Sequence, residues 1–257
     1  MGYSGLDLSG RVAVVIGGTS GIGRALALGL AEAGADVVPT GRRSELVEAA
    51  ASEIEALGRR SLRMTSDVTD EDSLEALRVA CESLGPVEIL VNAAGITARA
   101  PTLELSLAEW QTILDTNLTG TLRACRAFGR RMLERGYGRV INIASLTSLV
   151  GFHEVAAYAA SKAGVAALTR TLAVEWAPAG VCVNALLPGV FRTPLNEGLL
   201  DGTERGRELL LRTPMRRFGL PRELVGAAIF LASESAAFVT GHLLAVDGGF
   251  LASGVNQ

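Results

Sequence analysis

The chain has 257 residues, of which 49% are hydrophobic and only 5% aromatic, and it carries a formal net charge of −3. This length allows one large α/β domain, and an aliphatic composition is typical of helices packed on a parallel sheet. The arginine pairs are scattered and interrupted by acidic residues, so no basic stripe indicates nucleic-acid binding.

The cysteine pattern and the absence of long apolar runs narrow the function classes further. Cys81, Cys125 and Cys182 lie far apart, which predicts buried, reduced thiols and no metal site. The first residues lack a positive region followed by an apolar run, and no apolar run approaches the length of a membrane span. We therefore expect a cytoplasmic protein that binds neither membranes nor nucleic acid.

Short aliphatic runs alternate with helical patterns along the chain. The predicted strands are 11–16, 36–40, 61–65, 87–91, 140–143, 181–186 and 243–246, and the predicted helices are 21–34, 44–58, 70–84, 107–135 and 158–176. This alternation predicts a single α/β domain over residues 1–257, with a Rossmann-like, doubly wound parallel sheet of about seven strands and helices on both faces. Residues 188–221 form a long irregular insertion, which we expect to be the substrate loop.

A glycine-rich turn joins the first predicted strand to the first helix. Glycines let backbone N–H groups approach a pyrophosphate, which then lies at the positive end of a helix. The spacing G-x-x-x-G-x-G differs from the G-x-G-x-x-G of many dinucleotide folds, but its position between strand and helix favours cofactor binding over a simple turn. The predicted cofactor contacts here are Gly17, Thr19, Ser20, Gly21, Ile22 and Gly23.

The end of the second predicted strand indicates which dinucleotide is bound. An acidic residue there would bind the ribose 2′-hydroxyl of NAD, but the strand is followed by Arg42 and Arg43, and Asp36 stands at its opposite end. A guanidinium pairs well with a phosphate, so Arg42, helped by Arg43 and Thr40, favours NADP(H) over NAD(H), which stays possible. The alternative is that both arginines cap a solvated loop.

Tyr158 and Lys162 are four positions apart on a predicted helix, which places them on one face. A cation beside a phenol lowers its pKa, so we expect this tyrosine to exchange protons near neutral pH. Ser145, thirteen residues upstream, offers a hydroxyl for the oxygen of a carbonyl or alcohol. Taken alone, this spacing is a weak indication of a catalytic site, because a tyrosine and a lysine so spaced on a helix usually form a surface pair.

Taken together, these motifs resemble the short-chain dehydrogenase/reductase family over nearly the whole chain, in the branch of gluconate and deoxygluconate dehydrogenases and 3-oxoacyl-carrier-protein reductases. The resemblance implies that Asn117, Ser145, Tyr158 and Lys162 are catalytic. It adds further cofactor contacts, partly shared with that set: Asp67, Val68, Asn92, Ala93, Gly95, Tyr158, Lys162, Pro188, Gly189, Val190 and Thr193. One departure is Ile16, which stands where the family often has threonine.

The mechanism implied by the resemblance is hydride transfer between a nicotinamide and a carbon bearing a hydroxyl or carbonyl. Ser145 and Tyr158 hold the oxygen and Tyr158 donates the proton. Lys162 lowers the pKa of the tyrosine and binds the nicotinamide ribose, while Asn117 positions a water that returns protons. The resemblance also implies a homotetramer, or a homodimer.

The substrate is less strongly indicated. Arg99, Leu146, His153 and Phe191 are predicted to line the pocket, together with Leu195 and Asn196, although Arg99 and His153 are equally consistent with solvated positions. The first hypothesis is an NADP(H)-dependent enzyme acting on a sugar acid or polyol. The alternatives are a 3-oxoacyl-carrier-protein reductase, whose partner would dock on Arg126, Arg130 and Arg131, a general carbonyl reductase, and a dinucleotide-binding regulator without turnover.

Overall fold

The computed structural model describes residues 4–193, 200 and 202–255. Its strands are β1 (Val12–Ile16), β2 (Asp36–Thr40), β3 (Val87–Asn92), β4 (Gly138–Ile143), β5 (Val181–Pro188) and β6 (Leu243–Val246). Within the described residues these six strands form one sheet in the order β2-β1-β3-β4-β5-β6, and every pairing is parallel. The predicted fold class is confirmed, and the predicted ends of these strands differ by at most two residues.

Helices cover both faces of this sheet. They are α1 (Gly21–Glu32), α2 (Ser44–Ala56), α3 (Glu71–Cys81), α4 (Leu107–Leu114), α5 (Gly120–Arg135), α6 (Ala156–Trp176), α7 (Glu204–Arg212) and α8 (Val225–Ala232). Along β1, Ala13 and Val15 pack in a core with α1 and α8, whereas Val12 and Val14 pack in a second core with α3 and α5. Successive side chains of a strand point to opposite faces, so a strand buried on both faces is an uninterrupted apolar run.

The seventh predicted strand, 61–65, is not a strand in the structure. This segment runs beside β2, and the backbone N–H of Val37 donates to the Arg60 carbonyl at 3.1 Å. The next backbone N–H that would face it belongs to position 39, which is a proline and has none, so the ladder stops there. Side chains replace the missing bonds: the Thr40 hydroxyl lies 2.7 Å from the Met64 carbonyl.

The single long helix predicted over 107–135 is also corrected. Between α4 and α5, Asp115–Thr119 forms a π-helical turn, in which the Gly120 N–H bonds to the Asp115 carbonyl. A π turn inserts one extra residue into the helix and is frequent at functional sites. It contains Asn117, whose side chain is fully buried.

The order of the strands determines where a ligand can bind. The chain passes from β1 to β2 on one side and then returns to β3 on the other side of β1, so the direction of winding reverses between β1 and β3. In such sheets ligands bind in the crevice beyond the carboxyl ends of the strands at this reversal. The segments after β1 and β3, residues 17–23 and 93–96, lie there.

Candidate active site

The glycine turn after β1 forms a close backbone cradle against the segment after β3. Gly17 has φ +76°, and a Cβ atom at this position would lie 2.6 Å from the Ala94 nitrogen. The turn is held from the other side, because the N–H groups of Gly17 and Gly18 both donate to the Thr40 carbonyl. Ser20 precedes α1 in extended conformation without a side-chain cap, so the first N–H groups of the helix stay available to an anion. These features fit a dinucleotide pyrophosphate.

The end of the crevice beyond β2 contains one acidic and two basic side chains. Arg42 and Arg43 are exposed, and neither guanidinium group makes a hydrogen bond or an ion pair to another described residue, whereas the Arg43 carbonyl accepts from the Val47 N–H at 3.1 Å. Hydrogen bonds from Thr69 lower the pKa of Asp67, and the charge of Arg42 acts in the same direction. Thr40, in contrast, is fully buried, and its hydroxyl forms hydrogen bonds with Met64 and Ser66 in the segment beside β2. It is therefore not free to assist Arg42.

Asn92, at the end of β3, has a side chain that faces the interior. Its Nδ2 donates to Asn142 Oδ1 at 2.8 Å, and Asn142 donates in turn to the Thr169 hydroxyl at 3.0 Å. This buried network ties β3 and β4 to α6. The neighbouring backbone also belongs to the sheet, since the Ala93 N–H donates to the Ile16 carbonyl at 2.8 Å.

Ser145 and Tyr158 come together at the carboxyl end of β4. Ser145 caps a short 3₁₀ turn by accepting a hydrogen bond from the Thr147 N–H at 3.2 Å. Burial raises the pKa of the Tyr158 phenol, and its hydrogen bond with Ser145 opposes that rise. The predicted lowering of this pKa by a neighbouring cation is therefore wrong for the protein alone, because loss of solvation dominates.

Lys162 lies one helical turn beyond Tyr158 and is almost completely buried, with 5% of its surface exposed. Its Nζ donates to the Ile143 carbonyl at 2.6 Å and stands 5.8 Å from the centre of the Tyr158 ring. Burial lowers the pKa of this ammonium group to about 8. The lysine is thus close to the tyrosine, and one of the three N–H groups of its ammonium donates to the backbone of β4.

Asn117 braces the start of the loop that follows β3. Its Oδ1 accepts from the Ile96 N–H at 2.8 Å, and its Nδ2 donates to the Ile96 carbonyl and to the Ser161 hydroxyl. Gly95 fits between this amide and the lysine: a Cβ there would lie 3.4 Å from Asn117 Oδ1 and 3.5 Å from Lys162 Nζ. Both distances are ordinary van der Waals contacts, so the space at this position would also admit a methyl group.

The segment after β5 returns toward the glycine turn. The Gly189 N–H donates to the Val246 carbonyl at 2.9 Å, which continues the pairing of β5 with β6 beyond Pro188. Thr193 reaches the start of α1, because its Cγ2 would lie 3.7 Å from a Cβ on Gly21. Val190 lies between them on this segment, and Val68 is buried against Gly120 at the start of α5.

The four predicted substrate residues do not share one environment. Leu146 and Phe191 are buried, and Phe191 packs against Gly219 on the core side of the segment after β5. His153 is exposed, whereas Arg99 forms an ion pair with Glu154 in which Nε and Oε2 are 2.5 Å apart. Leu195 and Asn196 lie outside the described residues.

A cavity of about 240 Å³ opens between the segment after β5 and residues 213–219. Val190, Phe191 and Met215 contribute to its lining, but Ser145, Tyr158 and Lys162 do not. It therefore lies beside the candidate catalytic group and not over it.

Three residues of this region were missed by reasoning from the sequence. Asn142, inside the aliphatic strand β4, was detectable, because a polar residue in a buried strand needs a partner. Glu154, which has φ +64°, and Arg205, which contacts the His153 carbonyl, left no signal in the sequence.

Comparison with known proteins assigns the family. A family profile described as Enoyl-(Acyl carrier protein) reductase matches residues 17–251. Gluconate 5-dehydrogenase of Gluconobacter oxydans (strain 621H) is 40% identical over 248 residues, which cover 96% of this chain and 97% of that protein. The chain belongs to the short-chain dehydrogenase/reductase family. As a member it is an NAD(P)-dependent oxidoreductase that acts on CH–OH groups, and the predicted family is confirmed.

Two further short-chain dehydrogenases are similar over the full length. The 2-dehydro-3-deoxy-D-gluconate 5-dehydrogenase of Escherichia coli (strain K12) is 40% identical over 254 residues, which cover 97% of this chain and 98% of that protein. The crystal structure of a gluconate 5-dehydrogenase from Burkholderia cenocepacia J2315 in complex with NADP and tartrate is 38% identical, with a TM-score of 0.94 and coverage of 98% and 99% of the two chains. In the part of the chain that the structure describes, no helix has the length and apolarity to cross a membrane.

Proposed function

We propose that this protein is an NADP(H)-dependent dehydrogenase that interconverts the hydroxyl and keto forms of a sugar acid. The observation that carries this proposal is the meeting of Ser145, Tyr158 and a buried Lys162 beside the glycine cradle. The full-length similarity to gluconate and deoxygluconate dehydrogenases supports the substrate class.

Ser145 and Tyr158 hold the substrate oxygen in this proposal. When bound, NADPH supplies the hydride that the carbonyl carbon accepts. The two hydroxyl groups donate hydrogen bonds to the oxygen, so the charge that develops there meets donors already in position. Tyr158 then gives its proton to the alkoxide. The raised pKa keeps this phenol protonated between turnovers, and an alkoxide, which is a stronger base than a phenolate, can still take its proton.

Lys162 and Asn117 support this proton transfer. Lys162 keeps a proton within reach of the tyrosine and would bind the nicotinamide ribose. The amide of Asn117 is committed to Ile96 and Ser161, so its proposed effect on a returning water acts through the shape of the loop after Gly95.

The cofactor would bind from the glycine cradle to the exposed arginines after β2. Backbone N–H groups of residues 20–23 would hold the pyrophosphate, and Arg42 with Arg43 would pair with the 2′-phosphate of NADP. Asp67 and Val68 would contact the adenine, and the backbone of residues 92–95 the adjoining ribose. Pro188, Gly189, Val190 and Thr193 would hold the carboxamide of the nicotinamide.

The substrate is proposed to enter between the segment before α6 and the loop of residues 188–221. Arg99 is the candidate partner for the substrate carboxylate, because its guanidinium presents a planar fork of donors. His153 lies on the rim beside it.

A carrier-protein substrate is disfavoured by the charges around its proposed docking face. Arg131 pairs with Glu134 at 2.8 Å, and Arg126 lies 3.6 Å from Glu71. Acidic neighbours therefore offset the basic patch that an acidic carrier protein would need. This observation favours a sugar acid over a carrier-protein substrate and supports keeping 3-oxoacyl-carrier-protein reductase as the alternative.

The proposed substrate class is tested by following NADPH oxidation with 5-keto-gluconate, 3-keto-gluconate, acetoacetyl thioesters and simple ketones. One charge-assisted hydrogen bond to a carboxylate is worth about tenfold or more in binding, so a keto acid should lead by at least that factor in kcat/KM. Preference for thioesters would instead favour a 3-oxoacyl-carrier-protein reductase, and preference for simple ketones would favour a general carbonyl reductase.

We further propose a homotetramer located in the cytoplasm. The outer face of α6 presents Ala163, Ala167 and Val174, and Val174 is 78% exposed, which suits a helix face covered by a second copy. The three cysteines are free thiols, as expected in a reducing compartment. Light scattering should give four times the chain mass of 26.7 kDa, and cell fractionation checks the location.

A further inference from the structure

Arg205, in the first turn of α7, reaches the same short segment that pairs with Arg99. Its Nη1 donates to the His153 carbonyl at 3.1 Å. The next residue, Glu154, accepts from Arg99 Nε at 2.5 Å, and its carbonyl accepts from the Ala100 N–H at 3.0 Å. Two guanidinium groups from distant parts of the chain are thus held on consecutive residues.

In the cluster formed by Arg99, Glu154 and Arg205, the positive charge of Arg205 has no carboxylate in direct contact. No carboxylate of a described residue lies within 4.0 Å of its guanidinium, although it is partly buried. Burial and the like charge of Arg99 lower the pKa of Arg205, while Glu154 and Glu208 oppose this. An additional anion placed between the two arginines would relieve the repulsion and replace lost solvation.

Both arginines retain donors for such an anion. A guanidinium has five N–H donors in a planar fork. Among the described residues, Arg99 uses only its Nε and Arg205 uses only one Nη. The remaining N–H groups match the two oxygens of a carboxylate, which an arginine binds in a bidentate manner.

The position of the cluster connects it to the reaction. Glu154 is followed after four residues by Tyr158, and its left-handed backbone, φ +64°, directs the chain into α6. The two guanidinium groups therefore lie just before the helix that carries the proposed proton donor. To reach them, a substrate whose oxygen contacts Tyr158 must extend its far end along this segment.

We propose that Arg205 binds the carboxylate of the substrate together with Arg99, and that this pair selects acidic substrates over neutral ones. The inference rests on the proposed function and names a second binding residue for it. Glu154 then acts as the internal counter-ion that the substrate carboxylate competes with.

The test compares Arg205→Gln with Arg207→Gln, using 5-keto-gluconate and the neutral ketose fructose as substrates. Arg207 is a matched control, because it lies on the same helix, is exposed, and has no side-chain partner among the described residues. Loss of a charge-assisted hydrogen bond should raise the KM for the keto acid by about ten- to a hundredfold in R205Q only. In R205Q the kcat/KM for fructose should fall much less than that for the keto acid, in R207Q neither should change, and R205K should restore part of the loss.

A second variant should change the KM for the keto acid in the opposite direction. Glu154→Gln removes the competing carboxylate, so the KM for the keto acid should fall while that for fructose does not. If R205Q weakens both substrates equally, Arg205 only supports the fold of α7 and the inference is overturned. If the wild-type enzyme reduces the keto acid well and R205Q does so equally well, the inference also fails, whereas absence of keto-acid reduction in the wild type contradicts the proposed function itself.

Discussion

The two ends of the candidate site are built in different ways. At the glycine cradle the contacts are between backbone atoms: Gly17 and Gly18 donate to the Thr40 carbonyl, and Ala93 donates to β1. At the proposed substrate end the contacts are between charged side chains on connecting segments, as in the pair of Arg99 with Glu154. Backbone contacts come with the sheet itself, whereas the side chains at the other end can change without disturbing it. This difference separates what the fold determines from what the individual enzyme selects.

The largest effect is expected from Tyr158→Phe, which removes the proposed proton donor. General-acid catalysis contributes about 10²–10⁴-fold, so kcat should fall by about 10³-fold while NADPH binding is retained. Tyr137→Phe is the control, because that ring lies between Arg11 and Arg139, 4.3 and 4.4 Å from their guanidinium carbons, away from the site. Steady-state kinetics and NADPH fluorescence titration measure both quantities. Substantial turnover in Y158F contradicts the proposed role.

The backbone cradle is tested by Gly17→Ala against Gly58→Ala. Both glycines have φ +76°, but a Cβ at Gly58 meets nothing within 4 Å, whereas one at Gly17 meets the backbone of Ala94. Each variant should lose about 1–2 kcal/mol of unfolding free energy from the left-handed conformation alone. Only G17A should lose more than this, and only G17A should lose NADPH affinity. Equal losses in the two variants would show that the close approach does not matter.

The buried charge of Lys162 should cost stability. A lowered pKa in the folded state means that the unfolded chain holds the proton more tightly, so the penalty is complete below pH 8 and disappears as the pH rises from about 8 toward 10.5. The pKa shift sets an upper limit of about 3 kcal/mol on this penalty. Replacing the lysine also removes its hydrogen bond to the Ile143 carbonyl, which reduces the expected gain in stability by about 1 kcal/mol. The free energy of unfolding of Lys162→Met should therefore be about 2 kcal/mol higher than that of the wild type at pH 7, while its activity is lost.

Denaturant unfolding of this variant and the wild type at pH 7 and pH 10 provides the measurement. The difference between them should shrink at the higher pH. A difference that is independent of pH would mean that burial of the ammonium group is not its cause.

The smallest effect is expected at the exposed end of the crevice beyond β2, where the adenosine of the cofactor is proposed to bind. Arg42→Ala should raise the KM for NADPH by about tenfold, or about 1.4 kcal/mol, through loss of an exposed charge-assisted pair with the 2′-phosphate, and leave the KM for NADH unchanged. Arg130→Ala removes the same charge from an exposed helix position and serves as the control. Equal turnover with both cofactors, unaltered in R42A, would contradict the NADP(H) preference.

The sequence was sufficient for the overall fold because strand and helix periods are local properties. Six of the seven predicted strands are confirmed. The seventh and the continuous helix over 107–135 were wrong for reasons that depend on neighbours in space: Pro39 faces the segment beside β2, and the π turn turns Asn117 into the interior.

The chemistry of the site was only partly predictable. The motifs that brought Ser145, Tyr158 and Lys162 into one group are linear patterns, and their assigned roles stay predictions. The direction of the pKa shift of Tyr158 was not accessible, because it depends on burial, which spacing along a helix does not report. Arg205 was missed because nothing in the sequence relates α7 to residue 153.

Pro39 also has a consequence for the chain before it is fully folded. An exposed strand edge can recruit the same strand of another copy, and a proline removes one of the donors that such pairing requires. β2 forms the last strand of the sheet among the described residues, and its outer edge carries that proline. Because proline lacks this donor whether or not the chain is folded, the edge is protected against aggregation even before residues 61–66 dock beside it.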